Sequence, residues 1–448
     1  MRTETAYSGA LKRVAFLPLL LVFFSCATTE HYAKVDDSIA GERYSDSVGI
    51  LDSLKGRIYK NISRDAVLYY LDKGMLSHYA GEYEESSKLL QEAERTIEEA
   101  FTKSITRAAG SVLVNDNLLE YAGEDYEDIY INAFNALNYY NQGNIDGAMV
   151  EIRRMNIKLQ TLETKYDAAR SELQKQALAE GVVDSDIPEN ENAPSKFSDS
   201  ALARYLGMLF YRQAGQQDSA RIDRENLLLA FANNRDIYNY SVPSSISGEL
   251  EIPAGLARVN VIAFSGLSPV KKDKVLRIPL PGPRWIKIAL PEMISRPSQV
   301  VRAEALFDDG RVFPLELLED IDAIARDTFK SRQGVIYTRS IIRAVVKGAA
   351  SSAMAIAADE TEGTDSLVLN IFSIGTQAYA EASEQADLRL SRYFPGKAWV
   401  GGFNIEPGAH SFRVNFYGIS NMLISTQYFT NVTVNPRLLN LTEAFCLR

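Results

Sequence analysis

The densest set of side chains able to do chemistry is Glu319, Asp320 and Asp322. Neighbouring carboxylates can divide acid and base roles when their surroundings split their pKa values. The three also open an apolar run, Leu317, Leu318, Ile321, Ile324, Ala325 and Phe329, where acids suit the positive end of a helix. A second polar set, Glu384, Asp387, Arg389 and Arg392, could hold a polar ligand or form a salt-bridge network. His410 follows the Pro407-Gly408 turn, with Glu406 and Ser411 as the nearby partners in sequence. No Gly-x-Ser-x-Gly elbow nominates a serine nucleophile. Pro281-Gly282-Pro283 lacks the spaced glycines and Lys-Ser/Thr pair that cradle a phosphate. The histidines (His31, His78, His410) and cysteines (Cys26, Cys446) are far apart, which leaves almost no material for a zinc site. No metal and no cofactor is expected, and no catalytic residue is assigned.

The chain has 448 residues, a 46% apolar fraction and a net charge of −10. Large cores are therefore possible, over two to four domains at about 150 residues each. A dedicated nucleic-acid binder would need a basic stripe, and none of that kind is present.

The first residues read as an address. Arg2, Lys12 and Arg13 precede an uncharged run, Val14 to Phe24, which ends at Ser25-Cys26. A basic start, a short apolar run and a small residue mark a secretory signal peptide, here 1–25, and the run is too short to span a bilayer. Phe23-Phe24-Ser25-Cys26 resembles the bacterial lipoprotein signal, although that signal usually has leucine where Phe23 stands. The resemblance implies cleavage before a lipidated Cys26, with palmitate-like chains as the anchor. More than one acyl chain makes such an anchor stable. The alternative is an ordinary signal peptide with an incidental cysteine. Ala27 stands where an inner-membrane retention signal often has Asp, which favours the periplasmic face of the outer membrane. Residues 26–45 are then a tether, and Cys446 is left unpaired as a small, partly buried residue.

Residues 46–240 read as helical. Tyr70, Gly74, Tyr79, Gly81 and Tyr83 frame a turn between two amphipathic helices, and this resembles a tetratricopeptide repeat. The frame returns at Ala136, Tyr139, Gly143 and Ala148, and again at Gly207, Tyr211, Gly215 and Ala220. The spacings exceed the roughly 34 residues of a pure array, so degenerate repeats or insertions must intervene. A generic antiparallel bundle is the alternative. Ile152, Met155, Leu159, Leu162, Tyr166, Ala169 and Leu173 form a heptad seam, which suggests one continuous helix to about Glu180 that packs on its own domain. Residues 181–200 read as an acidic loop.

Residues 241–436 change character. Strand-like runs occur at 249–252, 258–264, 284–290, 300–307 and 311–314, with a hairpin turn at Asp308-Asp309-Gly310. Further runs at 398–405, 411–417 and 427–434 suggest that both sets pair into one β-sandwich. A helical insert is expected over 315–392. Its apolar stretches, 345–358 and 367–380, suggest a buried helical hairpin or one that dips into a bilayer. Residues 437–448 read as a C-terminal tail. The fold class is thus α+β: a tetratricopeptide-like α-solenoid, then a β-sandwich-like domain with a helical insert.

At this level the whole chain resembles a family of bacterial tetratricopeptide-containing lipoproteins without assigned biochemistry. The segments that carry the resemblance are 126–139, 318–325 and 384–389, together with Phe394-Pro395 and the Pro407-Gly408 hairpin. It covers about residues 60 to 417. Leu390-Ser391 stands where the family tends to have tryptophan, and the last thirty residues diverge. The resemblance implies a lipid-anchored envelope protein and adds no catalytic residue. The expected function is a protein–protein interaction scaffold whose groove, with Tyr70, Tyr79, Tyr83, Tyr139 and Tyr211 among its candidate lining residues, receives a segment of another envelope protein. The alternatives are a structural membrane-associated component using the 345–380 hairpin, and an envelope hydrolase using the 319–322 carboxylates.

Overall fold

The computed structural model describes residues 27–108, 116–162, 164–179, 195–280, 284–359 and 385–448. Cys26 and Glu384 lie outside them, as do residues 367–380 and most of the expected acidic loop.

The amino-terminal half is helical. It contains α1 (Ala27–Ala40), α2 (Tyr44–Ile58), α3 (Ala66–Tyr79), α4 (Tyr83–Ala108), α5 (Asp125–Asn141), α6 (Ile145–Leu162), α7 (Asp167–Ala179), α8 (Ala201–Gln213) and α9 (Gln217–Asn233). Residues 27–40, read as a tether from sequence, form a helix whose Tyr32, Val35 and Ile39 are buried.

The pairs α3/α4, α5/α6 and α8/α9 close in one way. Gly81, Gly143 and Gly215 have φ of +77°, +76° and +73°. In each turn the residue after the glycine donates its N–H to a carbonyl near the helix end: Glu82 to Ser77, Asn144 to Tyr139 and Gln216 to Tyr211. This left-handed C-terminal cap satisfies carbonyls the helix would leave orphaned, and glycine adopts it without a Cβ clash. Gly74 serves a different end, because a Cβ there would lie 2.8 Å from Leu90 of the paired helix.

The heptad seam is not one helix. A turn around residues 164–166 separates α6 from α7. Its apolar residues are nonetheless buried within the chain, against α8 on one side and the long helix described below on the other.

The carboxy-terminal half departs from the expected sandwich. Its strands are β1 (Ala257–Leu267), β2 (Val270–Leu280), β3 (Arg284–Ile294), β4 (Arg302–Phe307), β5 (Val312–Asp320), β6 (Pro395–Ile405), β7 (Gly408–Tyr417), β8 (Leu423–Val434) and β9 (Asn440–Cys446). Seven of them form one sheet in the order β8-β7-β4-β5-β6-β1-β9, while β2 and β3 form a separate hairpin. The seven-stranded sheet is barrel-like and nearly closed. Its two edges approach each other, and the Phe445 N–H donates to Gln427 Oε1 at 2.9 Å. One wall, β6-β1-β9, is buried on both faces. Val259, Val261, Phe403 and Ala444 point into the barrel, and Ile262, Phe264, Val400 and Phe445 point into the helical core.

Three boundaries also move. Residues 437–448 are not a tail, because β9 pairs in parallel with β1 from Val259 opposite Asn440 to Ser265 opposite Cys446. Cys446 is fully buried, and burial pushes its thiol up to about 12. Residues 249–252 are not a strand; Glu249 is buried there between Arg212 and Arg258. The expected insert 315–392 begins as β5. The helix α10 (Ile321–Asp359) follows, and residues 385–394 cross back as an irregular strap before β6. The first part of α10 packs on β3, α7 and α5. Among the described residues, no helix is long and apolar enough to cross a membrane.

The shared turn gives a contrast of sign. Gly143→Ala should cost roughly 1–2 kcal/mol, because open space surrounds it and the left-handed backbone alone is strained. Gly49→Ala, in the exposed interior of α2 with nothing within 4 Å, should instead add about 0.5–1 kcal/mol. Urea unfolding midpoints of the two variants should move in opposite directions.

Candidate functional site

Helix α5 is the element around which the polar side chains gather. All but its last three residues and Asp128 are buried. Its asparagines recur every third position, at 132, 135, 138 and 141, so they rotate gradually around the helix. Asn132 donates to Glu94 of α4 at 3.1 Å and to Glu151 of α6 at 2.7 Å. Asn138 donates to Ser86 at 2.8 Å and accepts from His78 Nδ1 at 2.7 Å. Asn141 donates to Glu443 of β9 at 2.8 Å. His78 Nε2 lies 3.0 Å from the other Glu443 oxygen, and Tyr79, Tyr83, Phe134 and Phe445 set their rings around the imidazole.

The 319–322 carboxylates do not converge. Glu319 is fully buried at the end of β5. It accepts from the Tyr130 hydroxyl, from Ser200 at 2.7 Å, from Tyr238 at 2.8 Å and from the Leu202 N–H at 3.0 Å. Burial raises its pKa, and these donors oppose the rise. Four donors and zero exposure make it a pin between β5 and the start of α8, closed to any substrate. Asp320 accepts from the Ala323 N–H at 2.9 Å, as a cap of α10. Asp322 accepts from Ser295 at 2.8 Å and from Arg326 at 3.0 Å.

Asp387 and Arg389 belong to the strap. Arg389 holds Asp387 through two nitrogens at 2.8 Å, reaches Asp65 at 3.2 Å, and donates to the Leu119 and Asp116 carbonyls. Next along the strap, the Ser391 N–H donates to Glu127 at 2.6 Å, and Ser391 Oγ and the Arg392 N–H donate to Asp72 at 2.9 and 2.8 Å. Sequence reading missed Glu127 and Asp72. Burial pushes them up to about 7 and about 6, with the adjacent Glu124 charge adding to the rise at Glu127.

The tyrosines expected to line a groove are largely engaged inside the chain. Tyr79 is buried and donates to the Tyr393 carbonyl at 2.7 Å. Tyr70, Tyr139 and Tyr211 are half-buried against the core, and Tyr83 packs on His78. The inner face of α3 and α5 is thus covered by β9 and the strap. An open recess lies instead on the outer side.

There, α4, α6 and the start of α5 enclose an open cleft of about 530 Å³. Its walls carry matched charges: Glu94 pairs with Arg154 and with Lys158 at 2.6 Å, and Asp128 with Lys158 at 2.7 Å. Ile157 stands in it at 60% exposure. A second recess of about 350 Å³ lies beyond Phe101 and Lys165, between α4, α7 and α10. Both residues line both recesses, and Lys165 Nζ sits 4.7 Å above the Phe101 ring. The two form an amphipathic trough suited to an extended or helical segment with apolar side chains and mixed charge. No signal in the sequence joins α4, α6, α7 and α10 at this place. Among the described residues, no cluster of His, Cys, Asp or Glu is arranged to hold a metal.

Comparison with known proteins adds no relative: no protein-family model, no curated protein and no solved structure matches the chain.

Burial of Glu127 beneath the strap sets a pH dependence, which the Ser391 N–H partly offsets. An acid whose folded pKa is raised stabilises the fold fully below its unfolded value and loses that contribution as pH rises through the folded one. For Glu127 the window runs from about 4.5 to about 7. Glu127→Gln should remove about 3 kcal/mol of pH-dependent change across it. Urea titrations of wild type and variant should diverge over that interval; parallel curves would exclude the assignment.

Proposed function

We propose that the chain is a lipid-anchored lipoprotein of the cell envelope that acts as a protein–protein interaction scaffold. In this reading its leader directs it to the periplasmic face of the outer membrane, with Cys26 lipidated. The helix pairs form a tetratricopeptide-like array of the kind that the sequence frame resembles. The observation that carries the scaffold role is the trough on the outer side of α4 and α6. It is open and amphipathic, and it rests on the largely buried α5. Helical repeats commonly present such surfaces to other proteins, which is an argument by analogy of fold. The partner is a segment of another envelope protein. It would place an apolar side chain against Ile157 and Phe101 and exchange charges with Arg154, Lys158 and Glu98 at the rim.

Capture with the membrane-extracted native protein should recover one partner in stoichiometric amount. Ile157→Asp should reduce that recovery at least about tenfold, as expected for loss of a central apolar anchor. Its unfolding midpoint should stay within about 0.5 kcal/mol of wild type, because the side chain is exposed. Equal recovery by both proteins would remove the trough from the interface, and background capture alone would remove the scaffold reading.

A further inference from the structure

The α1–α2 hairpin is charged unevenly along its length. Tyr32 and Tyr59 meet with ring centroids 6.4 Å apart, so the start of α1 lies beside the end of α2. Ala27, the first helical residue, is about 8 Å along the axis from Tyr32. Ala27 therefore lies at this end, next to the α2–α3 connection. Lys34, Lys55, Arg57, Lys60 and Arg64 are concentrated here. Glu30 is the one acid of α1 within a turn of Ala27; Asp37 lies farther along, and Glu42 and Asp46 sit at the opposite end with Arg448 and Arg43.

Three of the acids near the basic end are already matched. Asp36 holds Arg392 at 2.8 Å, Asp52 holds Lys73 at 3.0 Å, and Asp65 is shared by Arg64 and Arg389. Lys55 rests 3.5 Å above the Tyr69 ring. Lys34, Arg57 and Lys60 are exposed, and they make no ion pair among the described residues. Lys55 and Arg57 complement the negative end of the α2 macrodipole. That account does not extend to Lys60 or to the exposed Ile62, which lie beyond the helix. A local excess of cations around an exposed apolar residue, on a chain of net charge −10, runs against the overall composition.

From this placement we infer that the Ala27 end of the hairpin is a membrane-apposed face, on which Lys34, Arg57 and Lys60 bind anionic lipid headgroups with Ile62 at the interface. The inference rests on the lipid-anchor reading above. Because helix begins at Ala27, an anchored Cys26 leaves no slack, and the basic rim is held within about one Debye length of the headgroups. Each cation there strengthens attachment about fivefold. Anchor and rim together hold the chain in one orientation, as two membrane signals do in other anchored proteins.

The test uses the mature, membrane-extracted protein, its mass measured intact. It is placed in vesicles of phosphatidylcholine alone or of phosphatidylcholine with phosphatidylglycerol. Amine labelling is then read by mass spectrometry at Lys34 and Lys60, with exposed Lys88 and Lys272 as controls. Expected is a several-fold loss of labelling at Lys34 and Lys60 in the anionic vesicles only, reversed by high salt, with both controls unchanged. Arg57→Glu with Lys60→Glu should lower the protection of Lys34 by about an order of magnitude. An acylated protein whose Lys60 labels equally in both vesicles overturns the rim and leaves the anchor standing. A protein without the acyl mass overturns the anchor. If that chain still floats with anionic and not with neutral vesicles, the rim stands alone; if it floats with neither, the rim fails too.

Discussion

A helix buried along most of its length leaves its inward polar groups without water, and α5 lives under that constraint. An unpaired polar group in such a place costs about 1–3 kcal/mol, and an unpaired charge more. Tyr130, Asn132 and Asn138 therefore dictate what surrounds them: a carboxylate on β5, carboxylates on α4 and α6, an imidazole on α3. The apolar residues between them pack just as widely. Phe134 meets His78, Phe264 and Phe394. One continuous core consequently runs from α1 to Leu447, and the helical half and the sheet share it.

The buried charges follow the same logic. Glu249 lies between two arginines and Asn260, and a Cβ at residue 402 would fall 2.0 Å from its oxygen, so β6 carries Gly402 there. Glu124 takes Lys271 and Arg332 together. Buried pairs of this kind contribute little net stability, since desolvation offsets their attraction. They do penalise any arrangement that separates the partners. Because Arg212–Glu249, Lys271–Glu124 and Arg332–Glu124 join the two halves of the chain, they specify how helices and sheet fit together.

Much of the layout is legible in the sequence, for identifiable reasons. Gly81, Gly143 and Gly215 stand at turns only glycine enters freely, so the helix pairs can be read from spacing. Alternation in Phe412, Val414 and Phe416 marks a strand with one buried face. Where both faces are buried the signal vanishes. Residues 440–446 bury Leu441 and Phe445 on one side and Ala444 and Cys446 on the other, and without polar alternation they resemble a tail. Glu319 misled for a related reason. Helix begins two residues later, so a capping role fits the sequence, and only the fold brings up Tyr130 and Ser200 from more than a hundred residues away. Segments 126–139 and 318–325 meet where Tyr130 donates to Glu319, and Phe394 packs on Tyr126 and Phe134, although nothing in their spacing predicts it. The trough is the least legible feature, since its lining comes from helices whose exposed faces carry no shared periodicity.

The position of β9 has a consequence for how the molecule comes into being. It is the last strand of the chain, and it lies against the first strand of the sheet while handing Glu443 to His78 and Phe445 to the helical core. No fragment that lacks β9 can complete that core, because Leu441 and Phe445 close it from the far end of the sequence. Contacts spanning more than 350 residues are slow to form and strongly cooperative. The helical half therefore stays open until β9 is in place, and a molecule cut short before Asn440 exposes the core surface that β9 covers.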